Sequence, residues 1–225
     1  MSGDTVEARW DDEYRAGRYG EEPPVAFVRD IVEAARAHRP PTDVGLYIGC
    51  GNGRNYVPLV DAGLDLIGLD VSRTAIDQLS LRLPHRKARL IHGDVSALPR
   101  GSTFGTVIGI QVFQHGTESE AQRHVRAALG LVMPGGLFCV RVNAVGTEIE
   151  YAHTVIARRA GSGLTIRYDE GPKQGLAIHF FDHDEIARLT AGLVPILPLR
   201  IQRTLRQEPS AGHWDQWEGI WQIPH

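Results

Sequence analysis

The sequence predicts an α/β fold in which parallel strands alternate with helices, and three observations support this prediction. Residues 44–48 form an apolar run that ends in glycines at positions 49, 51 and 53, a pattern of strand, tight loop and helix. A second apolar run, residues 64–70, follows after one helix length. The chain has 225 residues, 42% hydrophobic and 23% charged, which suits a single domain over residues 1–225 with a sizeable core.

The segment before the first strand, residues 4–39, is predicted to form two short helices joined by a turn. Its large apolar side chains recur at helical spacing, interrupted by glycines and by Pro23 and Pro24. Glycines beside aromatic side chains suit a mobile flap. The alternative is that Trp10 and Tyr14 only pack the first helix onto the body of the protein.

The three glycines after the first strand predict a ligand-binding loop. Glycine permits positive φ and lets a ligand approach where a Cβ atom would clash. The helix that follows offers free N–H groups to a polar ligand. The spacing is G-x-G-x-G, which differs from the G-x-G-x-x-G pattern that binds dinucleotides.

Asp70 ends the second strand, about 20 residues after the glycine loop, a distance typical of an acid that binds ribose. Its ionised oxygens would make charge-assisted hydrogen bonds with the ribose hydroxyls. The alternative is that Asp70 is the N-cap of the helix that starts near Ser72.

The next two strands also end in polar residues. Residues 88–95 end in Asp94 and Val95, which by themselves indicate a turn. Residues 104–115 are apolar enough for a strand buried on both faces of a parallel sheet, with Gln111 and His115 at its end. Since histidine changes protonation near neutral pH, His115 is the leading candidate for a general base if the chemistry needs one. The alternative is that His115 only satisfies backbone groups.

The second half of the chain is predicted to contain a helix over residues 119–130, stopped by Pro134, and a strand over residues 137–143. Residues 144–175 depart from regular alternation and leave the end of that strand, where ligands bind in open α/β sheets. We therefore expect this insertion to shape a substrate site, and the alternative is an ordinary solvent-exposed loop. Two β-prone runs, residues 193–206 and 214–223, predict a closing hairpin with its turn near residues 208–213.

A helix is predicted to begin after Asp182. Its start bears on whether the nearby His179 and His183 could bind a metal ion. His179 and His183 have a spacing at which two histidines can chelate a metal. However, Asp182 and Glu185 form a predicted capping box that leaves His179 outside the helix. We therefore expect no metal site.

Composition narrows the partners and the compartment. The formal net charge of −3 provides no basic field for phosphate backbones, so a nucleic acid is not expected. No apolar run approaches the roughly 20 residues that span a bilayer, and the first residues lack a signal-peptide pattern. We expect a cytoplasmic protein without membrane contact, in which Cys50 and Cys139 are small core residues.

Residues 46–54, Leu-Tyr-Ile-Gly-Cys-Gly-Asn-Gly-Arg, resemble the first motif of class I S-adenosylmethionine-dependent methyltransferases. Further resemblances follow in order: Trp10 to Gly20 to the lead-in of small-molecule members, Asp70, Asp94 with Val95, and Leu131 to Leu137 to the corner before strand five. The family has a Rossmann-like sheet of seven strands, mostly parallel, in the order 3-2-1-4-5-7-6 with an antiparallel last strand. The resemblance implies this fold for the chain.

The resemblance also implies S-adenosyl-L-methionine as cofactor and a small-molecule methyl acceptor with an O, N or S nucleophile. Residues 1–40 would be a helical lid over the cofactor, Asp94 would receive the adenine amino group, and the backbone N–H of Val95 would bind a ring nitrogen. The oligomeric state is left open. The implied cofactor-binding residues are Tyr14, Tyr19, Gly49, Cys50, Gly51, Arg54, Asn55, Asp70, Val71, Asp94, Val95 and Gln111.

Two positions depart from the family pattern. Tyr47 stands where the family usually has Asp or Glu, and Gly105 stands where it often has Asp. These departures leave open a cofactor-binding protein of the same fold with lost or altered chemistry. A nicotinamide-dependent oxidoreductase is a further alternative, disfavoured by the glycine spacing.

Overall fold

The computed structural model describes residues 6–20, 22–40, 42–208 and 210–225. Asp4, at the start of the predicted N-terminal segment, and Pro209, in the predicted closing turn, lie outside these residues. The described α-helices are α1 (Val6–Arg15), α2 (Phe27–His38), α3 (Tyr56–Asp61), α4 (Arg73–Arg82), α5 (Glu118–Leu129) and α6 (His183–Leu189). The strands are β1 (Val44–Ile48), β2 (Asp65–Asp70), β3 (Leu90–His92), β4 (Phe104–Ile110), β5 (Val132–Asn143), β6 (His153–Arg159), β7 (Gly163–Tyr168), β8 (Ala177–Phe180), β9 (Val194–Leu205) and β10 (His213–Gln222).

The main sheet has seven strands in the order β3-β2-β1-β4-β5-β10-β9. β1 and β2 are parallel, with Leu46 opposite Ile67, and β2 is parallel to β3. β9 and β10 are antiparallel, with Ile201 opposite Trp217. Since β9 and β10 are the sixth and seventh strands of this sheet along the chain, the predicted fold class and strand order are confirmed. The two N-terminal helices and the closing hairpin are confirmed as well.

A second sheet has three antiparallel strands in the order β6-β7-β8, and it was not predicted. β6 and β7 lie within the predicted insertion of residues 144–175, and β8 follows it. The buried side chains of β7 and β8 form a core cluster of Leu164, Ile166, Tyr168, Ile178 and Phe180.

By its internal contacts the chain divides into two compact units. The first comprises the described part of Met1–Ile108 together with Leu131–Leu137. The second comprises Gly109–Gly130 and Phe138–His225. The glycine loop and its flanking helices belong to the first unit, whereas the three-stranded sheet belongs to the second. One domain over residues 1–225 stays a prediction.

The predicted ends of strands three and four are wrong. β3 is only three residues long because the residues on either side, 84–89 and 95–97, form short 3-10 helices. β4 ends at Ile110 because Gln111 has a φ of 57°. This left-handed conformation does not continue an extended strand.

The predicted role of Pro134 is also wrong. α5 already ends at Leu129, so Pro134 does not stop it. β5 begins at Val132 and includes Pro134 and the glycines that follow. Gly136 sits tightly there, since a Cβ atom on it would lie 2.7 Å from a methyl carbon of Val132.

Within the described residues, no helix is both long enough and apolar enough to cross a membrane.

Candidate cofactor-binding site

The loop after β1 turns on three glycines with positive φ: Gly49 at 71°, Gly51 at 55° and Gly53 at 100°. The backbone N–H groups of Gly49 and Cys50 both donate to the carbonyl of Leu69, at 2.7 and 3.1 Å. These bonds attach the loop to the end of β2. The next N–H, that of Gly51, donates to a carboxylate oxygen of Asp70 at 2.8 Å. The predicted loop and the predicted acid are therefore in direct contact.

The Asp70 carboxylate is buried, with 7% of the residue exposed. Its other oxygen accepts a hydrogen bond from the backbone N–H of Ser72 at 2.8 Å. Burial raises the pKa of Asp70 above its ordinary value, although the N–H donors of Ser72 and Gly51 act in the opposite direction. The alternative role of Asp70 as helix N-cap is wrong, because Ser72 caps α4 by accepting from the N–H of Ala75.

α1 covers the glycine loop with Tyr14. The ring packs so closely that a Cβ atom added to Gly51 would lie 2.5 Å from the Tyr14 hydroxyl oxygen. Burial and the charge of Asp70 raise the pKa of Tyr14 well above its ordinary value, so the phenol is neutral. Tyr19 lies edge-on to Tyr14 with ring centroids 5.9 Å apart and has a φ of 65°. Tyr14 therefore packs on the loop and Tyr19 packs on Tyr14. Their cofactor role stays a prediction.

Two loop residues bind the N-terminal segment. Arg54 donates to the carbonyl of Pro23 at 2.8 Å and pairs with Glu22 at 2.6 Å. Asn55 is buried and accepts from the N–H of Val25 at 3.0 Å. In this structure their side chains attach residues 22–25 to the loop, so their cofactor role stays a prediction.

Tyr47 occupies the position that is usually acidic in the family. It is fully buried, its hydroxyl is hydrogen-bonded to the side chain of Asn55, and burial raises its pKa. Cys50 is also buried, and burial together with Asp70 raises its pKa well above the ordinary value. Both side chains are therefore neutral at physiological pH. No negative charge stands at position 47.

At the second unusual position, Gly105 lies against Asp43. A Cβ atom on Gly105 would be 2.5 Å from a carboxylate oxygen of Asp43. Asp43 is itself paired with Arg39. The space that an aspartate side chain at position 105 would need is therefore filled by the carboxylate of Asp43.

Three further predicted cofactor residues, Val71, Asp94 and Val95, follow the ends of β2 and β3. The carbonyl of Val71 is 3.0 Å from the ring nitrogen Nε2 of His92. Asp94 is exposed and accepts from both the N–H and the hydroxyl of Ser96, at 2.8 and 2.6 Å. It thereby caps the 3-10 helix Val95–Ala97. Its adenine role stays a prediction.

Gln111 and His115 belong to the second unit. The Gln111 N–H donates to the carbonyl of Arg141 at 2.7 Å. Burial and the charge of Lys173 lower the pKa of His115 to about 3, although a hydrogen bond to the Gln111 backbone acts in the opposite direction. The imidazole is therefore neutral at pH 7 but only a weak proton acceptor.

His179 belongs to a buried polar network. Its ring nitrogens lie 2.9 Å from the hydroxyl of Thr165 and 2.9 Å from the carboxylate of Glu185. Glu185 also accepts from Gln122 at 2.7 Å. Asp182 caps α6 as predicted, but Glu185 does not complete a capping box because its side chain pairs with His179.

The second histidine of the pair considered for metal binding, His183, pairs with its neighbour Asp184. Among the described residues, no group of three or more His, Cys, Asp or Glu side chains is arranged to hold a metal ion.

Asp11 and Ser72 were missed by sequence reasoning. The buried carboxylate of Asp11 accepts from the hydroxyl of Ser72 at 2.5 Å and from the N–H of Thr74 at 2.9 Å. Burial raises the pKa of Asp11, but these hydrogen bonds outweigh it, so the pKa lies below its ordinary value. A signal was present: Asp11 precedes Tyr14 by three residues, a spacing that places both on one helix face.

Comparison with known proteins agrees with this architecture. Residues 46–136 match the family model of the methyltransferase domain. No curated protein matches the sequence.

Several solved structures share the fold. A 1,6-didemethyltoxoflavin-N1-methyltransferase from Burkholderia thailandensis, solved with 1,6-didemethyltoxoflavin and S-adenosylhomocysteine, is 18% identical with a TM-score of 0.67, over 98% of this chain and 88% of that one. The CcbJ methyltransferase from Streptomyces caelestis is 17% identical with a TM-score of 0.65, over 98% and 100%. The sugar N-methyltransferase KedS8 from a Streptoalloteichus species is 18% identical with a TM-score of 0.60, over 100% and 96%. The family resemblance drawn from the sequence is confirmed by the domain match and the shared fold.

Proposed function

We propose that this chain, a class I S-adenosylmethionine-dependent methyltransferase, transfers a methyl group to an O, N or S nucleophile of a small molecule by direct in-line displacement. The observation that carries the proposal is the contact between the glycine loop and Asp70. A buried carboxylate holds the Gly51 N–H, and Tyr14 covers the same glycine. This arrangement suits the ribose and amino-acid portion of S-adenosyl-L-methionine.

The residues present fit this cofactor. Each carboxylate oxygen of Asp70 holds one N–H donor and keeps a second acceptor site, so it can also accept from a ribose hydroxyl. The cofactor would supply a methyl group bound to a sulfonium, and the neutral thioether released on transfer is a good leaving group. What remains for the protein is to align the acceptor and to exclude water. We assign the alignment of the cofactor to Asp70, Gly51 and Tyr14.

We propose that His115 accepts a proton only from substrates whose nucleophile loses one during methyl transfer. Its lowered pKa keeps the ring neutral at pH 7, and a neutral ring can accept a proton. The same low pKa weakens it as a base. An acceptor whose nucleophile is already deprotonated would not need His115.

The proposed acceptor is a small molecule. Support comes from the structural neighbours, one of which was solved with 1,6-didemethyltoxoflavin and another of which is a sugar N-methyltransferase. The net charge of −3 also argues against a nucleic acid. We propose that residues 144–175, which include the β6–β7 hairpin, shape the acceptor site, that residues 1–40 act as a lid, and that the enzyme works in the cytoplasm.

The test is a calorimetric titration of the purified protein with S-adenosylmethionine and S-adenosylhomocysteine, with NADH and NADPH as controls. We expect micromolar binding of the first two ligands and none of the controls. Binding of NADH or NADPH alone would overturn the proposal in favour of an oxidoreductase.

The second candidate is a cofactor-binding protein without transferase chemistry. It is favoured by Tyr47, which is neutral where the family carries a carboxylate. A screen of amine, hydroxyl and thiol acceptors with radiolabelled cofactor separates the two candidates. Tight S-adenosylhomocysteine binding with no labelled product across the screen would favour the second.

A further inference from the structure

Asp11 joins the N-terminal helix to the start of α4. Only 8% of the residue is exposed, and one carboxylate oxygen accepts from both the Ser72 hydroxyl and the Thr74 N–H. The other oxygen lies 3.2 Å from the guanidinium of Arg15. A buried carboxylate is costly unless it is satisfied by such partners. This contact is therefore a specific connection between α1 and α4.

The connection continues to Asp70 through one residue. The Ser72 hydroxyl donates to Asp11, and the Ser72 N–H donates to Asp70 at 2.8 Å. Asp70 in turn accepts from the N–H of Gly51. A continuous series of hydrogen bonds therefore leads from α1 through Ser72 to the glycine loop.

α1 reaches the same loop from a second side. Tyr14, one helical turn after Asp11, packs on Gly51, and its carbonyl accepts from the side chain of Gln78 on α4 at 3.0 Å. Asp11 and Tyr14 therefore contact Ser72 and Gly51, the two residues whose N–H groups hold the Asp70 carboxylate.

We propose that Asp11 is a positioning residue for the cofactor: through Ser72 it holds Asp70 in the orientation that binds the ribose, so that docking of α1 and binding of the cofactor favour each other. The proposal rests on the proposed function, since it requires that Asp70 binds the cofactor. Coupling of this kind is reciprocal. A change that loosens α1 must weaken cofactor binding by the same factor by which cofactor binding tightens α1.

The test begins with Asp11→Asn, measured as the dissociation constant for S-adenosylhomocysteine by calorimetry. The substitution keeps the shape but removes the charge that makes these hydrogen bonds strong, and we expect affinity to fall about tenfold. Asp12→Asn is the matched control. Asp12 is the neighbouring carboxylate on the same helix, three-quarters exposed, and it pairs only with Arg15 among the contacts described. The affinity of the Asp12→Asn variant for S-adenosylhomocysteine should stay within about twofold of the wild-type value.

A double-mutant cycle separates positioning from a general structural effect. If Asp11 acts through Asp70, Asp11→Asn should have little further effect on affinity in an Asp70→Asn background. If the two effects on affinity multiply, Asp11 acts independently of Asp70 and the inference is wrong. Ser72→Ala, which removes the intermediate hydroxyl, should reproduce the loss of Asp11→Asn, and it serves as the second variant if Asp11→Asn does not fold.

Two negative results have different meanings. Normal binding by the wild type together with unchanged affinity in Asp11→Asn would overturn this inference alone. Absence of S-adenosylhomocysteine binding by the wild type would overturn the proposed function and the inference with it.

Discussion

The carboxylate of Asp70 supports the glycine loop, and we propose that it also binds the ribose of the cofactor. Because its oxygens already hold the N–H groups of Gly51 and Ser72, substitution affects the protein as well as the ligand. We expect Asp70→Asn to weaken S-adenosylhomocysteine binding by about 1.5–3 kcal/mol and to lower the melting temperature of the unliganded protein. Calorimetry and thermal unfolding measure the two effects.

Asp77→Asn is the control for Asp70→Asn. Asp77 lies on α4 and is exposed, so its substitution should change neither quantity appreciably. An unchanged dissociation constant in Asp70→Asn would remove Asp70 from the cofactor site.

His115 makes a pH-dependent contribution to stability that can be measured without a substrate. Its pKa is about 3 in the folded protein, against an ordinary value of 6.5, so the unfolded chain binds this proton more readily. The protein therefore loses stability as the pH falls from about 6.5 toward 3. His115→Gln should reduce the difference between the free energies of unfolding at pH 7.5 and pH 5.0, measured by urea denaturation.

His183→Gln provides the comparison, since His183 is exposed and pairs with Asp184 at the surface. This variant should keep most of the wild-type difference between the two pH values. If His115→Gln also keeps it, His115 is not held neutral by burial.

At the scale of one helix, Glu185 attaches α6 to β8 and α5 through hydrogen bonds with His179 and Gln122. This carboxylate is 1% exposed and serves both His179 and Gln122. Glu185→Ala would leave the buried ring nitrogen Nε2 of His179 without this partner, whereas the Gln122 side chain would keep Glu118 as an acceptor at 3.3 Å. A buried unsatisfied polar group costs about 1–3 kcal/mol. We expect a loss of that order or more in the free energy of unfolding, measured by urea denaturation.

Asp184→Ala is the matched control for this loss. Asp184 is the preceding residue on the same helix, and its side chain is 71% exposed, so the loss should be about 1 kcal/mol or less. Equal losses in the two variants would contradict the role of the buried network.

The elements that sequence reasoning predicted well are those whose local pattern decides their structure. The glycine loop and Asp70 were predicted because alternating glycines and a strand-ending acid leave few alternatives. The β6–β7 hairpin was missed although Leu164, Ile166 and Tyr168 alternate with polar residues, the pattern of a half-buried strand. The glycines and arginines of residues 144–175 are more typical of an irregular loop, which obscured this pattern.

Other features depend on partners that are distant in sequence. β4 ends at Ile110, and the N–H of the next residue, Gln111, bonds to the carbonyl of Arg141, 30 residues later. Arg54 turns toward Glu22 and Pro23, 31 or more residues earlier. Such tertiary contacts set the direction of a long side chain and the end of a buried strand. Neither feature can be predicted from the local sequence pattern.

At the scale of the whole molecule, the predicted cofactor residues are unevenly distributed. All of them except Gln111 lie in the first compact unit, Met1–Ile108 with Leu131–Leu137. The β6–β7 hairpin lies wholly in the second unit. The effects of the cofactor on local motion should therefore differ between the units.

Hydrogen exchange with and without S-adenosylhomocysteine measures this difference. A ligand that binds only the native state stabilises it by about 2.7 kcal/mol at a concentration 100 times its dissociation constant. Amides that exchange by local opening gain protection only where the opening breaks ligand contacts. We expect slower exchange in α1 and in the glycine loop, with little change in the hairpin of residues 153–168, which serves as the internal reference. Protection confined to the hairpin would contradict the assignment of the cofactor to the glycine loop and Asp70, because neither belongs to the unit that contains the hairpin.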